Sequence, residues 1–205
     1  MVTELTTLAA CKLTAQAIAS IYKGAKTISD VFLARKIEKF AEEPFSEKSK
    51  EYINSMDVNK FEELQEQIIH SLTHAESVLK ALYVKNLTSA YCENKIDWST
   101  FCRMNFVLGQ IYTMDLISLV KFYNYEHDEE VTQNKLNQFA GLGLVGISNI
   151  YDAEGMSLSG MYPQNEFGRK FIDCVLPDLD KESKKRIEDR QNAMMKAAKP
   201  FIRKK

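Results

Sequence analysis

The spacing of apolar residues predicts a succession of short amphipathic helices over the first 125 residues. Apolar positions recur every three or four residues, which is the period of a helix with one buried face. A first helix is expected from about Leu5 to Lys23, and a second follows Thr27. The second helix is expected to stop before Pro44, because a residue that precedes proline disfavours helical backbone. A short helix is expected from Glu47 to Ser55.

Polar residues mark the starts of the helices that follow. Asp57 is expected to cap a helix whose apolar face contains Leu64 and Leu72. Thr73-His-Ala-Glu76 has the form of a capping box, so a new helix is predicted to begin at His74. Further helices are expected after the caps Asp97 and Thr113. The residues expected to lie on the apolar face of the helix after Asp97 are Trp98, Phe101, Cys102, Phe106 and Leu108.

The pattern changes after residue 125. A helix is expected over Val131 to Leu142, and the β-branched residues after it predict a strand that includes Val145 and Ile147. A polar, glycine-containing stretch then leads to a short return strand at Met161 and Tyr162. Asn165 is expected to cap a helix that Pro177 ends, and Asp180 to cap a basic helix that reaches about Ala198.

Two short motifs in this region carry a family resemblance. Leu142-Gly143-Leu144-Val145 leads from a helix into a strand, and Asn165-Glu166-Phe167-Gly168 leads from a strand into a helix. Residues 113–176 therefore resemble the C-terminal half of a bacterial winged helix domain. The resemblance implies a wing near residues 151–160, and it assigns no function to an individual residue.

These patterns predict a mainly α protein in two parts. Residues 1–125 are expected to form a helical bundle, since short helices with brief connections suit an antiparallel bundle. Residues 126–205 are expected to form a winged-helix-like region with one small β-hairpin and a basic C-terminal helix.

Charge is distributed unevenly along the chain. The net charge of the 205 residues is −1, which excludes a uniformly basic nucleic-acid binder. Residues 41–180 carry 11 basic and 22 acidic residues, whereas residues 181–205 carry ten basic and three acidic residues. A basic tail of this kind contacts nucleic acid, anionic lipid or the acidic body of its own protein, or it is a solvated helix.

The cysteines and the N-terminus predict a cytoplasmic protein. Cys11, Cys92, Cys102 and Cys174 form no Cys-x-x-Cys pair and no dense framework, so we interpret them as small buried residues in a reducing compartment. The first residues lack the positive region of a secretory signal. The longest uncharged run near the start, Leu13 to Tyr22, is too short to span a bilayer.

The resemblance to a winged helix raises DNA binding as one alternative. A winged helix reads DNA with the helix before its wing, where Asn134, Lys135 and Gln138 are the candidate contacts. This helix has one cation, and the expected wing has none, although phosphate contacts supply much of the affinity for DNA. The further candidate contacts lie in the basic tail and are Lys184, Lys185, Arg186 and Arg190.

The N-terminal segment raises membrane action as a second alternative. Lys12, Lys23 and Lys26 are its candidate membrane contacts, because a basic amphipathic helix can lie in a lipid interface. The many small and hydroxyl residues weaken its apolar face, which favours a packed bundle helix.

Motifs for catalysis and metal binding are sparse. His70 and His74 would share a face on a continuous helix, as metal ligands can, but the Thr73 cap predicts a break between them. The sequence has no Gly-x-Ser-x-Gly elbow, no P-loop and no Rossmann glycine pattern. We therefore predict no enzyme, no cofactor and no metal.

The favoured function is a non-enzymatic interaction or regulatory protein that works through contacts with another protein. In overall character, the chain resembles small helical bacterial proteins, including those of phage and mobile-element conflict. The acidic body is suited to a basic partner or to mimicry of a phosphate backbone. A DNA-binding regulator that dimerises and a membrane-acting effector stay open as alternatives.

Overall fold

The computed structural model describes residues 28–42, 44–125, 131–151, 157–186 and 188–189. These residues are mainly helical, which confirms the predicted class. The predicted first helix, with Lys12, Lys23 and Lys26, lies outside the described residues. The chain divides into two compact units, Met1–Thr113 and Met114–Lys205, whereas the sequence placed the division after residue 125.

Five helices form the described part of the first unit. They are α1 (Ile28–Ala41), α2 (Glu47–Ser55), α3 (Val58–His74), α4 (Lys80–Cys92) and α5 (Trp98–Gln110). The centre of the bundle is α4, which contacts each of the other four. Its side chains are buried around most of its circumference, including Leu87, Tyr91 and even Lys80. A helix enclosed in this way has no polar stripe for solvent, which explains why its sequence shows little amphipathic contrast.

The predicted caps of α3 and α5 are confirmed. Asp57 Oδ1 accepts the backbone N–H of Lys60 at 3.0 Å, and Asp97 Oδ1 accepts that of Thr100 at 2.7 Å. Each carboxylate satisfies an amide that has no partner within its own helix. The starts of these two helices are therefore set by local sequence.

The predicted break at Thr73 is wrong. The helix α3 continues to His74, and α4 begins only at Lys80. The Thr73 hydroxyl donates to the Ile69 carbonyl oxygen at 2.8 Å, within α3. It does not accept a backbone N–H at the start of a new helix, as a cap would. The last turn of α3 is capped from a distance, since Lys36 Nζ donates to the carbonyl oxygens of Leu72 and Thr73 at 2.9 and 3.2 Å.

The second unit combines helices with a pair of strands. Its elements are α6 (Thr113–Tyr123), α7 (Gln133–Gly141), β1 (Ser148–Tyr151), β2 (Ser157–Met161) and α8 (Glu166–Val175). The strands pair antiparallel with Ser148 opposite Met161, and an isolated bridge joins Val145 to Gln164. The assignment of this region to a winged helix stays a prediction, because a strand pair does not by itself identify that fold.

Two local devices hold the second unit together. At the end of α7, Gly143 adopts a φ of 74°, and the N–H of Leu144 donates to the Phe139 carbonyl at 2.9 Å, which is a Schellman ending. The Tyr123 hydroxyl then donates to the Leu144 carbonyl oxygen at 2.5 Å and accepts the N–H of Asn165 at 3.0 Å. Tyr123, a residue of α6, is thereby hydrogen-bonded to both ends of the segment from Leu144 to Asn165, which contains β1 and β2.

The role predicted for Asp180 is wrong. Residues 177–186 are helical, so the helix begins at Pro177 and Asp180 lies within it. Proline suits a first helical position because the amide it lacks would have no partner there. The Asp180 carboxylate is instead buried among donors, since it accepts from Arg169 Nη2 at 2.8 Å and from Lys184 Nζ at 2.7 Å.

Candidate functional site

A cleft of about 430 Å³ in the first unit is the candidate functional site. Its walls are α3 and α5, and its floor includes Lys80 and Val84 of α4. One wall is formed by Gln67, His70, Ser71 and His74. The other wall is formed by Cys102, Asn105, Phe106, Gly109 and Gln110. In both sets, residues lie three, four and seven positions after the first one, so each wall is one face of a helix.

A polar network joins the two walls. The Ser71 hydroxyl oxygen lies 2.8 Å from both Asn105 Oδ1 and the Gln67 carbonyl oxygen. Asn105 Nδ2 donates to Gln67 Oε1 at 3.3 Å. The amide of Asn105 is buried, so these contacts satisfy a group that would otherwise be costly to bury. The network fixes the distance between α3 and α5 along the cleft.

The floor of the cleft contains a buried lysine. The side chain of Lys80 is 3% exposed, and its Nζ donates to Glu76 Oε2 at 2.7 Å and to the Ile111 carbonyl oxygen at 2.6 Å. Glu76 Oε1 accepts the backbone N–H and the hydroxyl of Thr113, each at 2.6 Å. Burial alone would raise the pKa of Glu76, but the hydrogen bonds from Lys80 and Thr113 hold it below its usual value. The ammonium group of Lys80 thus has a structural role, since it bonds to Glu76 and to the Ile111 carbonyl oxygen.

The mouth of the cleft exposes apolar surface. The side chain of Phe106 is 64% exposed, although the sequence placed it on the buried face of its helix. That prediction is wrong. An α-helix has 3.6 residues per turn, so Phe106 lies on a different side of α5 from the buried Phe101 and Leu108. One turn further on, a Cβ added at Gly109 would meet no atom within 4 Å. Phe106 and Gly109 together leave an open apolar surface on α5.

The turns of α3 that precede the cleft residue Gln67 are acidic, and we call them the acidic rim. Glu62, Glu63 and Glu66 are exposed and lie within the first ten residues of the helix. Burial and, to a lesser extent, the negative charge of Glu63 raise the pKa of the Cys102 thiol. A thiol with a raised pKa is a poor nucleophile at neutral pH.

The described cysteines have the character that the sequence predicted. Cys92 and Cys174 are buried, Cys102 is half-buried, and none of these three forms a disulfide. Burial raises the pKa of Cys92 to about 12. These residues pack as small apolar side chains, while Cys11 lies outside the described residues.

Three of the four described cations among the candidate nucleic-acid contacts are paired with carboxylates. Lys135 Nζ lies 3.2 Å from Asp115 Oδ1 and donates to the Ser118 hydroxyl at 2.9 Å. Lys184 pairs with Asp180, and Arg186 Nη1 with Glu182 Oε1 at 3.1 Å. Asn134 and Lys185 are exposed, Gln138 is half-buried, and Arg190 lies outside the described residues. DNA binding by these residues stays a prediction.

The sequence did not predict the cleft, because its walls come from two helices, α3 and α5, whose packing no spacing within one helix reveals. The one signal in the sequence is Phe106, which departs from the helical spacing of its buried neighbours Phe101 and Leu108. The described residues hold no group of three or more His, Cys, Asp or Glu side chains arranged for a metal ion. Each helix within the described ranges is too short or too polar to cross a bilayer.

Comparison of the chain with protein-family models, with curated proteins and with solved structures gives no match. The geometry of the cleft therefore carries the functional conclusion.

Proposed function

We propose that the protein is an interaction module whose cleft between α3 and α5 binds a basic, amphipathic segment of another protein. The observation that carries this proposal is the 64% exposure of Phe106 at the mouth of a cleft with a preformed polar network. Exposed aromatic side chains beside a pocket are typical anchors of protein interfaces.

The shape of α5 supports a close approach of the partner. Glycine inside a helix is less favourable than alanine by up to about 1 kcal/mol, so an unneeded glycine is a cost to the fold. No neighbouring atom requires glycine at position 109, because a Cβ there would meet open space. A partner side chain that packs beside Phe106 would use this space.

The charge of the rim supports the basic character of the partner. Between Glu62 and Glu66, α3 carries three carboxylates and no basic residue. Opposite charges at the edge of an interface speed association and orient the partner, whereas the apolar centre supplies affinity. A basic segment with an apolar face would pair its charges with the acidic rim and pack its apolar side chains beside Phe106.

The proposal is tested by site-specific photo-crosslinking in the native host. A photoreactive amino acid replaces Phe106 in one variant and Val58 in the other. Val58 is the matched control, since it is 70% exposed at the start of α3 and does not line the cleft. We expect one protein with a basic amphipathic segment to be cross-linked from position 106 and not from position 58.

Three outcomes would contradict the proposal. They are cross-linking of the same protein from both positions, cross-linking only to nucleic acid or to a second copy of this chain, and absence of any adduct from position 106. Circular dichroism of both variants checks that the helices are intact.

A further inference from the structure

Two histidines lie on one face of an unbroken helix at the cleft. His70 and His74 are four residues apart in α3, both are exposed, and their ring centroids are 4.2 Å apart. Because α3 continues through Thr73, the separation that the sequence predicted between these rings does not exist. Two imidazoles at this spacing can reach the same ion.

The hydrogen bond of His74 selects one of its ring tautomers. His74 Nδ1 lies 2.8 Å from the His70 carbonyl oxygen, which can only accept. The Nδ1 atom therefore carries the proton, and in the neutral ring Nε2 holds the lone pair. Histidines that bind metals usually donate their other ring N–H to a carbonyl or carboxylate in this way.

We propose that His70 and His74 chelate a late first-row divalent metal ion at the wall of the cleft. Neutral imidazole suits nickel, copper and zinc ions, whereas magnesium prefers oxygen ligands. The described residues offer no third His, Cys, Asp or Glu ligand, so the described part of the chain supplies two ligands. Water or a ligand in the cleft completes the coordination, which makes the site open and exchangeable.

The metal proposal does not rest on the docking proposal, although both concern the same cleft. The docking proposal rests on Phe106 and the acidic rim, whereas the metal proposal rests on the two imidazoles. The nickel titration needs no partner, so failure of either proposal is measured separately from failure of the other.

The site is tested by calorimetric titration of the full chain, purified without a histidine tag, with Ni²⁺. Nickel avoids the oxidation of thiols that copper would cause. We expect one Ni²⁺ per chain, weaker binding of Co²⁺ in line with the usual order of affinities, and no binding of Mg²⁺. His70→Gln and His74→Gln are each expected to weaken Ni²⁺ binding by about tenfold or more, because each removes one of the two ligands.

His127→Gln is the matched control, since His127 is the third histidine of the chain. It is expected to leave the affinity for Ni²⁺ within about twofold. A second readout is thermal unfolding, because an ion that binds only the folded state raises its melting temperature. Ni²⁺ should raise the melting temperature of the wild type and the His127 variant, and not that of the other two.

The proposal is overturned if Ni²⁺ does not saturate at one per chain, or if His70→Gln and His74→Gln bind it as the wild type does. Equal loss of binding in all three variants would also overturn it. Each variant is compared with the wild type in the absence of metal, so a folding defect is measured separately from loss of a ligand.

Discussion

Single polar side chains that cross between helices decide several features of this protein. Lys36, Glu76 and Lys80 join backbone groups that are more than 30 residues away in sequence. Buried polar groups of this kind are costly unless they are hydrogen-bonded, so each removal leaves a partner unsatisfied. Their effects are local enough to be measured one residue at a time.

Lys36→Met is expected to destabilise the first unit by about 1–3 kcal/mol, because two carbonyl groups at the end of α3 lose their donor. Burial lowers the pKa of Lys36, against the opposing effect of Glu76, which indicates a desolvated amine. The change is measured by urea denaturation, followed by the fluorescence of Trp98, the only tryptophan. The control is Lys39→Met, whose amine pairs with Glu42 at the surface and is expected to cost at most about 1 kcal/mol. Equal losses in the two variants would refute the capping role of Lys36.

Asp180 predicts a dependence of stability on acid pH. Burial alone would raise its pKa, but hydrogen bonds from Lys184, Asn124 and Arg169 hold the pKa below its ordinary value. A lowered pKa in the folded state contributes stability above the unfolded value of about 3.9, and this contribution is lost as pH falls through the folded pKa. Thermal unfolding between pH 3 and 7 should show a smaller acid loss for Asp180→Asn than for the wild type.

The matched control for this prediction is Asp173→Asn. Asp173 pairs with the same arginine, Arg169, but its side chain is more exposed than that of Asp180. The acid loss of this variant should follow the wild type. A wild-type slope in Asp180→Asn would show that the cluster contributes no acid-dependent stability.

At the scale of helices, local signals were predictable and distant ones were not. Asp57, Asp97 and Asn165 cap their helices as the sequence predicted, because a cap needs only its own next three residues. The prediction of a helix start at Thr73 was wrong, and the end of α3 is capped by Lys36, which lies in α1. The cleft depends on how α3 and α5 pack on α4, which no spacing within one helix reveals. Phe106 was misplaced for the same reason.

Gly109→Ala separates the needs of the helix from those of the cleft. The added methyl group has no neighbour within 4 Å outside its own stretch of helix, so the variant is expected to be more stable by up to about 1 kcal/mol. The same methyl group fills part of the cleft, so the affinity for the cross-linked partner is expected to fall. The free energy of unfolding is measured by urea denaturation, and the dissociation constant of the partner is measured on the same protein preparation. A variant that is more stable and binds the partner as tightly as the wild type would contradict a role for this space in docking.

At the scale of the whole molecule, the sequence predicted the helical class and two parts, while their roles stay proposals. The charge pattern indicated an acidic body, and the structure places exposed carboxylates in the turns of α3 that precede the cleft residue Gln67. The described cations of the second unit are largely paired with carboxylates, which favours protein contacts over phosphate binding as its use of charge. The feature on which the proposed function depends is the cleft between α3 and α5, with the exposed ring of Phe106.

The most direct measurement is the dissociation constant of the cross-linked partner for two variants of the full chain. Phe106→Ser removes the exposed ring at the cleft, and Val58→Ser removes an equally exposed apolar residue elsewhere on the first unit. We expect Phe106→Ser to weaken binding by at least about tenfold, equivalent to about 1.4 kcal/mol, and Val58→Ser to leave it within about twofold. Unchanged binding by the folded Phe106→Ser variant would contradict the assignment of the cleft as the docking site.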